Sequence, residues 1–132
     1  MLHPNQFEVN EAWIAFQLNR VPLQTERDGS LNCFALMDAA SCYILGSELV
    51  AADRVEANLP ESRHLLEMGR SYKQQLPKTL FIAKEQTADV LAREARRQNI
   101  EVVRVPESEL MLLIGEARDS FDERFGAGNG DA

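Results

Sequence analysis

The stretch PKTLFIAKEQTADVLAREARRQNIEVVRVPESELMLLIGEARDSFDERF (residues 77–125) decides the fold of this chain. Leu80, Phe81 and Ile82 form a short apolar run, and Val102 to Val105 is a second, β-branched one. Between them, Ala88, Leu91, Ala92 and Ala95 recur at helical spacing within Thr87 to Asn99, with Arg93, Glu94, Arg96 and Arg97 expected to point outward and Thr87 as the N-cap. Leu110 to Phe125 repeats the pattern through Leu110, Leu113, Ile114, Ala117 and Phe121, with Gly126 as its stop. Strand, helix, strand, helix in this order implies a parallel βαβ crossover followed by a covering helix. Neither strand leads into a phosphate loop, a nucleophile elbow or a metal cluster, so the unit specifies an architecture rather than an activity.

Working toward the N-terminus, Pro60 suits the first turn of a helix running to about Gln75, with Leu65, Leu66, Met68, Gly69, Tyr72 and Leu76 in its stripe and Pro77 ending it. Ala51 to Leu59 is a polar connection. Before it, Leu31 to Val50 reads as a hairpin. A reversal at Ala39-Ala40 sets Asp38 opposite Ser41, Met37 opposite Cys42, Leu36 opposite Tyr43 and Phe34 opposite Leu45. One face then carries Phe34, Leu36, Tyr43, Leu45 and Leu49, and the other Cys33, Ala35, Met37, Cys42 and Ile44. Both faces are apolar, which requires cover on both sides of the sheet.

Ala12 to Leu18 alternates, with Ile14, Phe16 and Leu18 on one face and Trp13 on the other, and reads as a strand; a helix ended by Pro22 is the competing reading. Val21 to Glu26 is a further short strand, and Asp28-Gly29-Ser30 is a turn signal. The fold class is therefore α/β: a mixed sheet with an N-terminal antiparallel meander and a C-terminal βαβα unit. One domain spans residues 1–126, and 127–132 form a loose tail with too little to bury.

The chain has 132 residues, 45% of them apolar, and a net charge of −7 with 14 basic against 21 acidic side chains. That balance disfavours nucleic-acid backbones and anionic membrane surfaces as partners. No segment resembles a secretion signal, none is long and apolar enough to span a bilayer, and only Cys33 and Cys42 occur, so the expected location is the cytoplasm with reduced thiols. The expected register leaves the two cysteines unpaired. Small buried side chains are the simpler account of both.

Asp38-Ala39-Ala40-Ser41-Cys42-Tyr43-Ile44-Leu45-Gly46 resembles the first motif of the ribonuclease H-like fold in integrase and transposase cores, where an aspartate ends one strand, serine or threonine follows, and glycine lies in the returning strand. The order of elements from Leu31 to Pro106 is similar to such a core as well. The resemblance implies a ribonuclease H-like sheet, with metal-bound carboxylates supplied by separated elements. Asp38 matches the first of these. The second falls at Ala83-Lys84, where an ammonium group would repel a metal; Glu85 is adjacent but does not match, and Glu107 or Glu109 stands near the third.

Two function classes follow. The leading expectation is a non-enzymatic binding or scaffold domain with a degenerate ribonuclease H-like core and no cofactor, binding protein or itself through apolar Trp13, Met111 and Leu112. The alternative is a nuclease or phosphotransferase using Asp38 with Glu85, Glu107 or Glu109 and Mg²⁺ or Mn²⁺. Other constellations are weaker. Cys33, Cys42 and His64 lack paired zinc spacing, and Ser41 or Cys42 beside His64 lacks an orienting acid. His3 suits a solvated leader, Arg93, Arg96 and Arg97 suit a solvated face, and Asp38 itself suits a turn in which it bonds backbone amides.

Overall fold

The computed structural model describes residues 1–125; the expected stop at Gly126 and the expected tail at 127–132 lie outside the described residues. Six strands form one mixed sheet: β1 (Ala12–Gln17), β2 (Leu23–Thr25), β3 (Gly29–Asp38), β4 (Ile44–Ala51), β5 (Thr79–Ala83) and β6 (Glu101–Val105). Three helices accompany them: α1 (Leu59–Lys73), α2 (Asp89–Arg97) and α3 (Met111–Phe125), the last entered through a 3-10 turn at Glu107–Leu110. β3 pairs antiparallel with β4 on one edge and with both β1 and β2 on the other. β1 then pairs parallel with β5, and β5 with β6. The antiparallel meander and the parallel crossover stand as expected. Its first arm is broken in two, because Asn19 folds back to receive the Cys33 N–H at 2.6 Å and gives its own amide to Val21 and Asn32.

Alternation along the strands sends side chains into two separate cores. Trp13, Ala15, Phe34, Leu36, Leu80 and Ile82 pack beneath α1 and α2. Ile14, Phe16, Ala35, Met37, Leu110, Leu113 and Ile114 pack beneath α3. The cover on both faces that the apolar hairpin demanded is present.

The hairpin register differs from the expected one. Phe34 lies opposite Glu48, Leu36 opposite Gly46 and Met37 opposite Ile44. Two causes act together. The Asp38 side chain draws in Ser41, so the chain reverses over Ala39 to Tyr43 rather than at two residues, with Cys42 in the left-handed region at φ 58°. The longer reversal shifts the pairing by two residues, which keeps the expected faces for Ile44 and Leu45, and a bulge at Leu45 then inverts them beyond. Tyr43 and Leu49, expected inside, are each 53% exposed, and Val50 takes the core position at 1%. Tyr72 likewise leaves the α1 stripe and stacks on Tyr43 at the surface, ring centroids 5.3 Å apart.

α1 is capped as a box, Asn58 and Glu61 exchanging side-chain to backbone bonds around Pro60. α2 departs from expectation at both its start and its flank. Its N-cap is Ala88, not Thr87, and the carboxylate of Glu56 accepts the Val90 N–H at 2.8 Å in place of a local cap. Glu94, expected outside, is 3% exposed, because Arg63, Arg97 and Gln98 surround its carboxylate.

Candidate functional site

The two ends of the sheet hold different polar clusters. Parallel strands β1, β5 and β6 all finish at one end, where Lys84, Glu85, Gln86 and Glu107 follow them. Glu85 Oε1 accepts the Glu107 N–H at 2.9 Å, and Glu107 Oε1 meets Arg118 at 3.1 Å. Arg118 also donates to the Gln17 carbonyl at 3.0 Å and lies over the Phe16 ring. Arg104 donates to the carbonyls of Ala83 and Gln86, which fixes the loop leaving β5. Each carboxylate here is spent on holding a loop or an arginine. Glu109, on the 3-10 turn, pairs with the Met1 amino group at 3.3 Å.

Asp38 lies at the other end. It pairs with Trp13 near the start of β1, and Trp13 is level with Leu80 of β5. At the rise of a strand, the finish of β5 at Ala83 is already about 10 Å away. The Asp38 side chain is fully buried, and its oxygens are taken: Oδ1 accepts Asn10 N–H at 2.7 Å, and Oδ2 accepts the Ser41 N–H and hydroxyl at 2.9 and 2.7 Å. Asn10, at φ 65°, passes the connection on by accepting the Trp13 indole N–H at 2.7 Å. Asp38 and Glu85 or Glu107 therefore do not converge, and among the described residues no three His, Cys, Asp or Glu side chains gather as a metal site. The residues present do not fit the Mg²⁺ or Mn²⁺ pair that the resemblance implies.

The cysteine and histidine constellations are separated by the sheet. Cys33 and Cys42, both free thiols, lie on the α3 side, where burial pushes each thiol above its ordinary pKa, with the charges of Glu116 and Asp38 adding to the rise at Cys42. His64 lies on α1, across the sheet, and its Nδ1 is 2.7 Å from Glu48. Neither a zinc set nor a nucleophile and base is assembled. His3 caps the leader's first turn by accepting from Asn5 N–H, and Arg97 is bonded to Glu94 while Arg93 and Arg96 are exposed.

Of the three expected interface residues, Trp13 is corrected. It is completely buried, because Gly69 on α1 leaves room for its indole; a Cβ on Gly69 would stand 2.7 Å from Trp13 Cη2. Met111 and Leu112 are 39% and 52% exposed. A groove of about 410 Å³ lies between α3 and the hairpin, lined by Leu18, Cys42, Ile44, Leu113 and Phe121 and edged by Glu116 and Arg124. Asn10, Asn19, Glu56 and Arg118 organise the structure, yet none stood out in the sequence. Their partners are remote in the sequence, so no local pattern marks them.

A five-stranded path in which β3 joins β1 antiparallel, and β1, β5 and β6 run parallel, with helices on both faces, is the ribonuclease H-like fold of transposase and integrase cores. Residues 4–121 match the family described as Domain of unknown function (DUF6930), and the chain belongs to that family. The catalytic domain of the Mos1 mariner transposase is similar to 92% of this chain at a TM-score of 0.51 and 13% identity, the match covering 66% of that domain. A chain of the simian T-cell lymphotropic virus intasome in complex with the PP2A regulatory subunit B56 gamma is similar over 98% of this chain and 46% of its own length, at a TM-score of 0.49 and 10% identity. This chain thus spans about half to two thirds of these proteins. No curated protein matches it significantly. Among the described residues no helix is long and apolar enough to cross a membrane.

Proposed function

We propose that this domain is a non-catalytic protein-binding module of the cytoplasm, built on a degenerate ribonuclease H-like core. The observation that carries this reading is the state of Asp38: buried, saturated by three donors, and at the opposite end of the sheet from Glu85 and Glu107. A two-metal phosphodiester site needs carboxylates with free oxygens close enough to share ions. Lys84, with Arg104 and Arg118 near it, makes the end of the parallel strands a poor host for divalent cations. The net charge of −7 supports protein rather than nucleic acid as the partner. Two free thiols suit a reducing compartment. The test is cleavage of single- and double-stranded DNA and RNA with Mg²⁺ or Mn²⁺, alongside calorimetric Mn²⁺ titration, for the wild type, Glu85→Gln and Asp38→Asn. The expected result is neither cleavage nor carboxylate-dependent metal binding. Metal-dependent cleavage that either substitution abolishes in a folded protein overturns the reading.

A further inference from the structure

The chain has two tyrosines, Tyr43 and Tyr72, and they meet each other at the surface. Tyr43 ends the reversal between β3 and β4, and Tyr72 stands in the last turn of α1, so their contact joins the hairpin to the helix lying over it. The rings stack with centroids 5.3 Å apart and planes inclined by 30°. Each residue is 53% exposed, so both rings are open to reagents in solution while held against one another. Lys73 Nζ lies 5.8 Å from the Tyr72 centroid and helps to hold that ring in place.

A phenol that loses one electron and one proton becomes a radical with spin on the carbons ortho to its oxygen, and two such radicals combine there. For separate rings the encounter is the difficult step; here the fold has already made it. Competing sites are sheltered. Trp13 is completely buried with its indole N–H on Asn10, and Cys33 is buried. Cys42, next to Tyr43, is partly buried, which pushes its thiol above the ordinary pKa and away from the reactive thiolate. We propose that Tyr43 and Tyr72 form an oxidative cross-linking site, at which a peroxide-derived one-electron oxidant joins the two rings by a carbon–carbon bond and fastens the hairpin to α1. Each ring gives up its phenolic hydrogen atom, the ortho carbons bond, and the two ortho hydrogens return the rings to phenols; the two electrons and two protons removed reduce one hydrogen peroxide to two waters. Thiol reductants do not cleave this bond, so the clasp survives conditions that keep Cys33 and Cys42 as free thiols.

The test is treatment of the full chain with hydrogen peroxide and a haem peroxidase over a series of protein concentrations, for the wild type, Tyr43→Phe and Tyr72→Phe, with circular dichroism to verify folding. Dityrosine fluorescence follows the reaction, and peptide mass spectrometry locates the link as a Tyr43–Tyr72 pair two hydrogens lighter than its parts. The folded wild type should cross-link within one molecule, at a yield independent of protein concentration and at least about tenfold above that of the same chain in urea. Neither variant should form the link, although each keeps both rings and the fold. Closing the loop between the two residues restricts the unfolded chain, so the cross-linked protein should melt at a higher temperature, with or without reductant. Links that form only between molecules, equal yields from folded and unfolded chains, or oxidation confined to cysteine and methionine overturn the proposal. A cross-linked chain that melts no higher overturns the fastening of the hairpin to α1. None of these results bears on metal-dependent cleavage or on a protein partner, so the preceding reading stands or falls separately.

Discussion

The backbone N–H of Asn10 donates to Oδ1 of Asp38 at 2.7 Å, tying the loop before β1 to the end of β3. Asp38→Ala removes the acceptor from three donors at once. Hydrogen bonds to a carboxylate are strong, and buried amides left without partners are costly, so the expected loss is about 3 kcal/mol. Asp38→Asn keeps one carbonyl oxygen and should lose about 2 kcal/mol. Urea denaturation measures both, as a lower midpoint at constant slope. An unchanged midpoint would remove Asp38 from its structural role.

Two helical glycines should respond to alanine with opposite signs. At Gly69 a Cβ would meet Trp13 at 2.7 Å and Leu36 at 2.9 Å, and overpacking against a buried indole should outweigh the better helix propensity, for a net loss of about 1–3 kcal/mol. At Gly115 a Cβ meets nothing within 4 Å, so propensity alone acts and should stabilise by up to about 1 kcal/mol. Thermal melts of the two variants side by side give the comparison.

The remote cap of α2 is testable by a pair of variants. Glu56→Ala frees the Val90 N–H and should cost about 1 kcal/mol, the usual worth of an N-cap. Thr87→Ala should cost distinctly less, since its side chain caps nothing. Equal losses in chemical denaturation would restore Thr87 as the cap.

Glu94 makes part of the stability depend on acid. Its carboxyl is lowered from the ordinary 4.5 to about 2, first by its hydrogen bond with Arg97, then by that with Gln98, and by the charges of Arg97 and Arg63, against a smaller opposing effect of burial. Folding thus favours the ionised form. Its contribution is complete above pH 4.5 and disappears as pH falls through about 2. The stability difference between wild type and Glu94→Gln should therefore shrink across that window. A difference that stays constant as acid is added would show that the carboxylate is not the source.

Periodicity carried the architecture. The alternation of Ile14, Phe16 and Leu18 against Trp13, and the helical spacing of Leu91 and Ala95, assign faces through neighbours a few residues away. The failures share the opposite character. Trp13 reads as surplus apolar surface until Gly69, far along the chain, makes room for it. Asp38 reads as a turn residue bonding nearby amides, but its bond from Asn10, in the loop before β1, joins segments 28 residues apart. The bulge at Leu45 has no composition of its own, and it alone decides that Val50 rather than Leu49 enters the core.

β1 is the first of these six strands in chain order and holds the middle of the sheet, joined to β3 on one side and, at Ala12 and Thr79, to β5 on the other. During synthesis the antiparallel half can close as soon as β4 has emerged. The second edge of β1 must wait open until β5 follows, a long-range pairing of the kind that slows folding and invites aggregation. Shortening the chain past Ala12 would not trim a margin; it would leave the β3–β4 hairpin and the β5–β6 pair with nothing to join them.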